Sequence, residues 1–106
     1  MRVAVDVMGG DRAPGEILKG CWQAAEFLSG DDLVHLVGDG AIIKAALAEN
    51  PVSADKLKHY NVVHTTQIIE MDDSPVESIR AKPDSSIAVM CKMAAKGESD
   101  AVISAG

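Results

Sequence analysis

Aromatic side chains are almost missing from this chain, with one Trp, one Tyr and one Phe among 106 residues. A core has to be assembled from Val, Ile, Leu, Ala and Met instead, as in buried parallel strands packed by helices. Cysteine is scarce too. Cys21 and Cys91 make no disulfide framework and have no metal-ligand spacing, which favours a reducing, cytoplasmic compartment. Both fall on apolar faces of predicted helices, where a free Cys behaves as a small hydrophobe. No stretch approaches the ~18 apolar residues of a membrane span, and the N-terminus lacks a signal-peptide pattern. Basic residues are outnumbered 10 to 16, a net charge of −6, which argues against nonspecific binding to nucleic acid or an anionic membrane. With 47% hydrophobic and 25% charged residues, what remains is a soluble globular chain long enough for one small domain.

What is there begins with an apolar strand, Arg2 to Val7, that runs into Met8-Gly9-Gly10-Asp11 and then Pro14. A strand that breaks on two glycines before a helix lets backbone N–H groups approach a ligand closely. Ile17, Leu18, Cys21, Trp22, Ala25 and Leu28 recur at helical spacing and predict the first helix. Leu33 to Val37 reads as a second strand, and Gly38-Asp39-Gly40 repeats the strand-to-glycine-to-helix grammar. The next helix carries Ile42, Ile43, Ala46 and Leu47 and stops before Asn50-Pro51, since a residue preceding proline is pushed from helical geometry. Tyr60 to Thr65 predicts a third strand, extending into a bent segment near Ile68 and Ile69. Ser74-Pro75-Val76-Glu77 is a capping box that starts a short helix. Ile87, Met90, Cys91, Ala94 and Ala95 mark the cleanest helix, ended by Gly97, and Asp100 to Ser104 is a last strand. Strands alternating with helices predict an α/β fold: an open, mostly parallel sheet with helices on both faces. The final strand lacks its covering helix, so residues 1–106 are expected to be the N-terminal part of a larger unit.

Several groups have the chemistry of a site, each beside a plainer reading. Gly9, Gly10 and Asp11 place amide donors and a carboxylate at a ligand, or form a tight turn capped by Asp11. The dinucleotide fingerprint G-x-G-x-x-G and the phosphate-loop motif of nucleotide hydrolases are both absent. Small residues in Ser104-Ala105-Gly106 let backbone approach an anion, with the Ser hydroxyl as donor. Asp84-Ser85-Ser86 suits an anion at a helix start, with N-capping the default. Arg80 and Lys82 suit phosphate recruitment or a solvated surface pair. Glu70, Asp72 and Asp73 suit a metal or general base, and favourable charge before a helix start explains them sufficiently. His35, His59 and His64 lack metal-site spacing and receive no ligand role.

The order of the segments is more specific than any one of them. Val3 to Asp11 with Pro14, Val37-Gly38-Asp39, Met71-Asp72-Asp73 with Pro75, Ile79 to Ser86 and Val102 to Gly106 together resemble the bacterial PlsX family, the phosphate acyltransferases of phospholipid synthesis. The resemblance covers essentially all of this chain and an N-terminal part of a family member. It implies a Rossmann-like fold of the isopropylmalate-dehydrogenase type, and one α/β acyltransferase domain to which residues 1–106 contribute the N-terminal part. The implied reaction moves a fatty acyl group from acyl carrier protein to inorganic phosphate, giving acyl phosphate, with neither metal nor nicotinamide as cofactor. Gly9, Gly10 and Asp11 would line the cleft, Arg80, Lys82, Ser85 and Ser86 would be contacts near it, and Ser104 to Gly106 would begin the phosphate-facing loop. The family's next residues, Asn-Thr-Gly-Ala and a helix, lie beyond this sequence. A polypeptide of these residues alone is therefore expected to be inactive and to associate through uncovered apolar strand faces. The resemblance also implies a homodimer at full length and, in some bacteria, peripheral membrane association. The alternatives are a nucleotide- or phosphometabolite-binding module and an isopropylmalate-type dehydrogenase.

Overall fold

The computed structural model describes residues 1–49, 52–66 and 84–105. Four parallel strands form one sheet: β1 (Arg2–Asp6), β2 (Leu33–Gly38), β3 (Tyr60–His64) and β4 (Ala101–Ile103), in the spatial order β3-β2-β1-β4. The chain steps outward from β1 to β3 and then returns to the far side of β1. That order is the first two-thirds of a doubly wound sheet, and its direction reverses between β1 and β4. Register follows directly from pairing Val5 with Leu36 on one side and with Ile103 on the other. Arg2 and Asp100 fasten the start of β4, with Asp100 N–H donating to the Arg2 carbonyl at 2.7 Å and Arg2 N–H to the Asp100 carboxylate at 2.8 Å.

Successive strand residues point to opposite faces, so β1 divides into two cores. Val5 and Val7 join Val34, Leu36, Leu18, Cys21 and Ile43 on the face covered by α1 (Gly15–Gln23) and α2 (Gly40–Glu49). Ala4 joins Val37, Met90 and Met93 on the opposite face, covered by α4 (Ser86–Ala95). A one-turn helix, α3 (Ala54–Leu57), leads into β3. The sheet thus carries helices on both faces, as the alternating pattern predicts. The lone aromatic pair, Trp22 and Tyr60, packs edge to face at 5.3 Å against the first core.

Two expectations need correction. The first helix does not run as one α-helix to Leu28, because a 3₁₀ turn takes over at Ala24–Phe27. That turn leaves Phe27 77% exposed. Of the two cysteines only Cys21 is buried, and Cys91 is exposed, since Met90 and Met93 rather than Cys91 face the sheet. The bent segment near Ile68, the acidic patch, the Ser74 capping box and the Asn50-Pro51 stop lie outside the described residues.

Candidate anion site at the ends of β1 and β4

Asp6 is the residue around which the site is built. It ends β1, it is 5% exposed, and it lies on the same strand face as Ala4, toward α4. One residue beyond the Val5–Ile103 pair, the parallel register sets Ser104 beside it. The Ser104 hydroxyl donates to Asp6 Oδ2 at 2.8 Å, the Ser86 hydroxyl to Oδ1 at 2.5 Å, and Met8 N–H to Oδ1 at 3.1 Å. Segments 80 and 98 residues away in the chain are thereby tied to one carboxylate. An aspartate is rarely buried without such partners, and an ionised carboxylate, which only accepts, suits three donors.

The glycines follow from this crowding. A Cβ on Gly9 would lie 2.4 Å from Asp6 Oδ2 and 3.0 Å from Ser104 Oγ. Gly10 has φ +92°, and a Cβ there would meet the Ala105 Cβ at 3.2 Å. Only glycine at both positions lets the loop after β1 lie against Ser104-Ala105 at the end of β4. The turn closes through Ala13 N–H to the Gly10 carbonyl rather than through Asp11, which is exposed. No described residue accepts the N–H groups of Gly9 or Gly10. The cluster lies at the carboxyl ends of adjacent strands where the strand order reverses, the usual ligand position of open α/β sheets.

Among the residues singled out from sequence, Gly9, Gly10, Ser86 and Ser104 are brought together, with Asp11 on the adjoining turn. Ser85 is not turned toward a ligand. It is fully buried and caps α4, its hydroxyl accepting from Ala88 N–H at 3.4 Å. Asp84 accepts from the backbone N–H of Thr66 at 2.8 Å and from its hydroxyl. Those hydrogen bonds, the hydroxyl's first, hold the Asp84 carboxyl below the usual Asp value. The helix start therefore does structural work with all three of its polar side chains. Arg80, Lys82 and Gly106 lie outside the described residues.

Asp6 itself and His64 were not singled out from sequence. A charge placed inside the apolar run Val3–Val7 is the signal for Asp6. His64 explains the second glycine turn: its Nδ1 accepts from Gly40 N–H at 2.9 Å, while Asp39 Oδ1 accepts from Ala41 N–H at 3.0 Å and Ile42 N–H at 3.4 Å. The first N–H groups of α2 are thus satisfied internally, and this turn offers no phosphate cradle of the dinucleotide kind. A surface concavity of about 590 Å³ bordered by Lys19, Trp22 and Lys56 shares no residue with the Asp6 cluster. No described helix is long and apolar enough to cross a membrane.

Comparison with known proteins bears on the whole chain. A curated protein named Phosphate acyltransferase from Desulfitobacterium hafniense (strain DSM 10664 / DCB-2) is 42% identical over 106 residues, which is 100% of this chain and 30% of that protein. Those of Lactococcus lactis subsp. lactis and Thermoanaerobacterium thermosaccharolyticum are 43% and 44% identical, with 30% and 29% of their lengths covered. The chain spans about 30% of the length of the curated relatives it matches. Residues 1–106 also match the model of the family described as fatty acid synthesis protein, the same family that the ordered motifs resemble, and the chain belongs to it.

Proposed function

We propose that these residues form the N-terminal part of an α/β domain of a phosphate acyltransferase, and that the crevice between the ends of β1 and β4 receives inorganic phosphate. The observation that carries the reading is the Gly9-Gly10 loop laid against Ser104-Ala105, where a Cβ at either glycine would collide. Support comes from the names of the relatives, each a phosphate acyltransferase, and from N–H groups that no described residue uses.

In the proposed reaction an oxygen of phosphate attacks the carbonyl carbon of a fatty acyl thioester on acyl carrier protein. The C–O bond forms, the C–S bond breaks, the sulfur leaves as the carrier thiol with a proton, and acyl phosphate is the product. The demands on the protein are positioning of an anionic nucleophile and stabilisation of the oxyanion at the carbonyl. Gly9 and Gly10 supply backbone donors, with Asp11 beside them. Asp6, Ser86 and Ser85 hold the walls of the crevice. Arg80, Lys82 and Gly106 keep their role as candidate phosphate contacts, and the reaction uses neither metal nor nicotinamide. A homodimer in the cytoplasm, touching the membrane only peripherally, belongs to the same proposal.

The test uses the full-length protein that contains these residues, acyl carrier protein carrying a palmitoyl thioester, and hydroxylamine to trap acyl phosphate as the hydroxamate. Hydroxamate that forms only when phosphate is supplied is the expected result. Thioester loss independent of phosphate, or none, overturns the reading. Thermal protection by NAD or ATP would favour the nucleotide-binding alternative.

A further inference from the structure

Resting on the phosphate reading above, we infer that Asp6 and Ser86 are positioning residues acting as one unit: they place the Gly9-Gly10 loop for the anion without touching the anion themselves. The N–H groups at the end of β1 are used in order. Val7 N–H still bonds β2, at the Val37 carbonyl, 3.0 Å away. Met8 N–H donates to Asp6 Oδ1 at 3.1 Å, and no described residue accepts the next two, of Gly9 and Gly10. The backbone of Gly9 also lies against the same carboxylate, since a Cβ there would come within 2.4 Å of Oδ2. Asp6 therefore meets the loop twice, through a hydrogen bond and through close packing, and the loop settles where Asp6 stands.

Ser86 fixes Asp6 in turn. It is buried at the first residue of α4, and its single hydroxyl hydrogen goes to Asp6 Oδ1 at 2.5 Å, which leaves no proton to donate to an anion. The sequence suggests a direct phosphate contact at Ser86, whereas its place in the fold makes the effect indirect, running from α4 through the carboxylate to the loop. Placement of this kind registers in activity, because an error of about 1 Å in a binding group costs on the order of a hundredfold. Members of one hydrogen-bonded unit also fail together. Without Asp6 the Ser86 hydroxyl loses its acceptor, so removing it as well takes away nothing more. A serine that bound phosphate itself would add its own loss.

The experiment is a double-mutant cycle on the phosphate KM of the full-length protein, read by release of the carrier thiol. Ser86→Ala and Asp6→Ala are each expected to raise that KM at least about tenfold, with the KM for the acyl carrier changed less than about twofold. The double variant should lie within about twofold of Asp6→Ala. Ile43→Val, which loosens the core on the other face of the sheet, should leave the phosphate KM unchanged, which separates lost stability from lost placement. Effects that multiply to about a hundredfold in the double variant overturn the inference, as does a phosphate KM unchanged in Ser86→Ala. If Asp6→Ala does not fold, a crystal of the wild type with phosphate decides: Ser86 Oγ is expected on Asp6 and clear of the anion, and a Ser86 hydroxyl bonded to phosphate overturns the inference. Thiol release that needs no phosphate, or phosphate seated away from Gly9 and Gly10, would instead overturn the reading on which the inference rests.

Discussion

Asp6 shows why single residues of the site were the hardest part to read. Its partners Ser86 and Ser104 lie 80 and 98 residues along the chain, and only the register of β1 with β4 and the docking of α4 bring them together. Gly9 and Gly10 were legible as a close-packed turn, because glycine allows a positive φ and a backbone approach that a Cβ forbids. Replacing Asp6 by Ala would leave the Ser86 hydroxyl buried without its acceptor. A loss of about 2–4 kcal/mol is expected in the full-length protein, read from urea unfolding, with each orphaned donor contributing 1–3. The cysteines differ at the same scale. Burial pushes the Cys21 thiol up to about 11, whereas Cys91 is exposed. Iodoacetamide at pH 8 should therefore modify Cys91 and spare Cys21 in the native protein, as peptide mass mapping would reveal; equal labelling of both would contradict the packing.

At the scale of elements, the alternating strands and helices were legible because hydrophobic periodicity reports burial on one face or two. The strand-to-glycine turns were legible as turns but not as to their use. At the first, no described residue accepts the Gly9 and Gly10 N–H groups, whereas the second is closed by His64 and Asp39, a difference set by where β3 delivers His64. Residues after Gln23 kept helical spacing yet formed a 3₁₀ turn, since apolar spacing alone does not separate the two close helical forms. Leu36, fully buried in β2, should cost about 2–5 kcal/mol when changed to Ala. Ser85→Ala should cost about 0.5–1 kcal/mol through the long 3.4 Å cap, at the low end for an N-cap. Thermal or urea unfolding of the two variants checks both the values and their order.

For the whole molecule, strand order could not be read from the sequence, and it sets the ends of β1 and β4 side by side. The chain's return to the far side of β1 brings Ser104 to Asp6 and makes one site of two separate motifs. The charge balance also acts at this scale. The carboxyls of Asp32, Asp84 and Asp100 are all held below the ordinary Asp value, first by hydrogen bonds from the Ser29 N–H, the Thr66 hydroxyl and the Arg2 N–H respectively. A folded-state value below the unfolded one stabilises above the unfolded value, about 3.9, and that contribution is lost as pH falls through the lowered folded values. Tm should therefore decline below about pH 4, and the gap between wild type and Asp100→Asn should close over the same range. A gap that stays constant down to acid pH would deny the shift.

The most direct test of the account is the dependence of carrier-thiol release on phosphate concentration in the full-length protein, for the wild type and for Gly9→Ala. A methyl group on Gly9 would press 2.4 Å from the Asp6 carboxylate and push the loop out of the crevice. The wild type should saturate with phosphate, and a folded Gly9→Ala protein should lose at least about a hundredfold in kcat/KM for phosphate, the scale on which misplaced binding groups cost catalysis. A folded Gly9→Ala protein with wild-type dependence on phosphate would contradict the placement of the anion between β1 and β4.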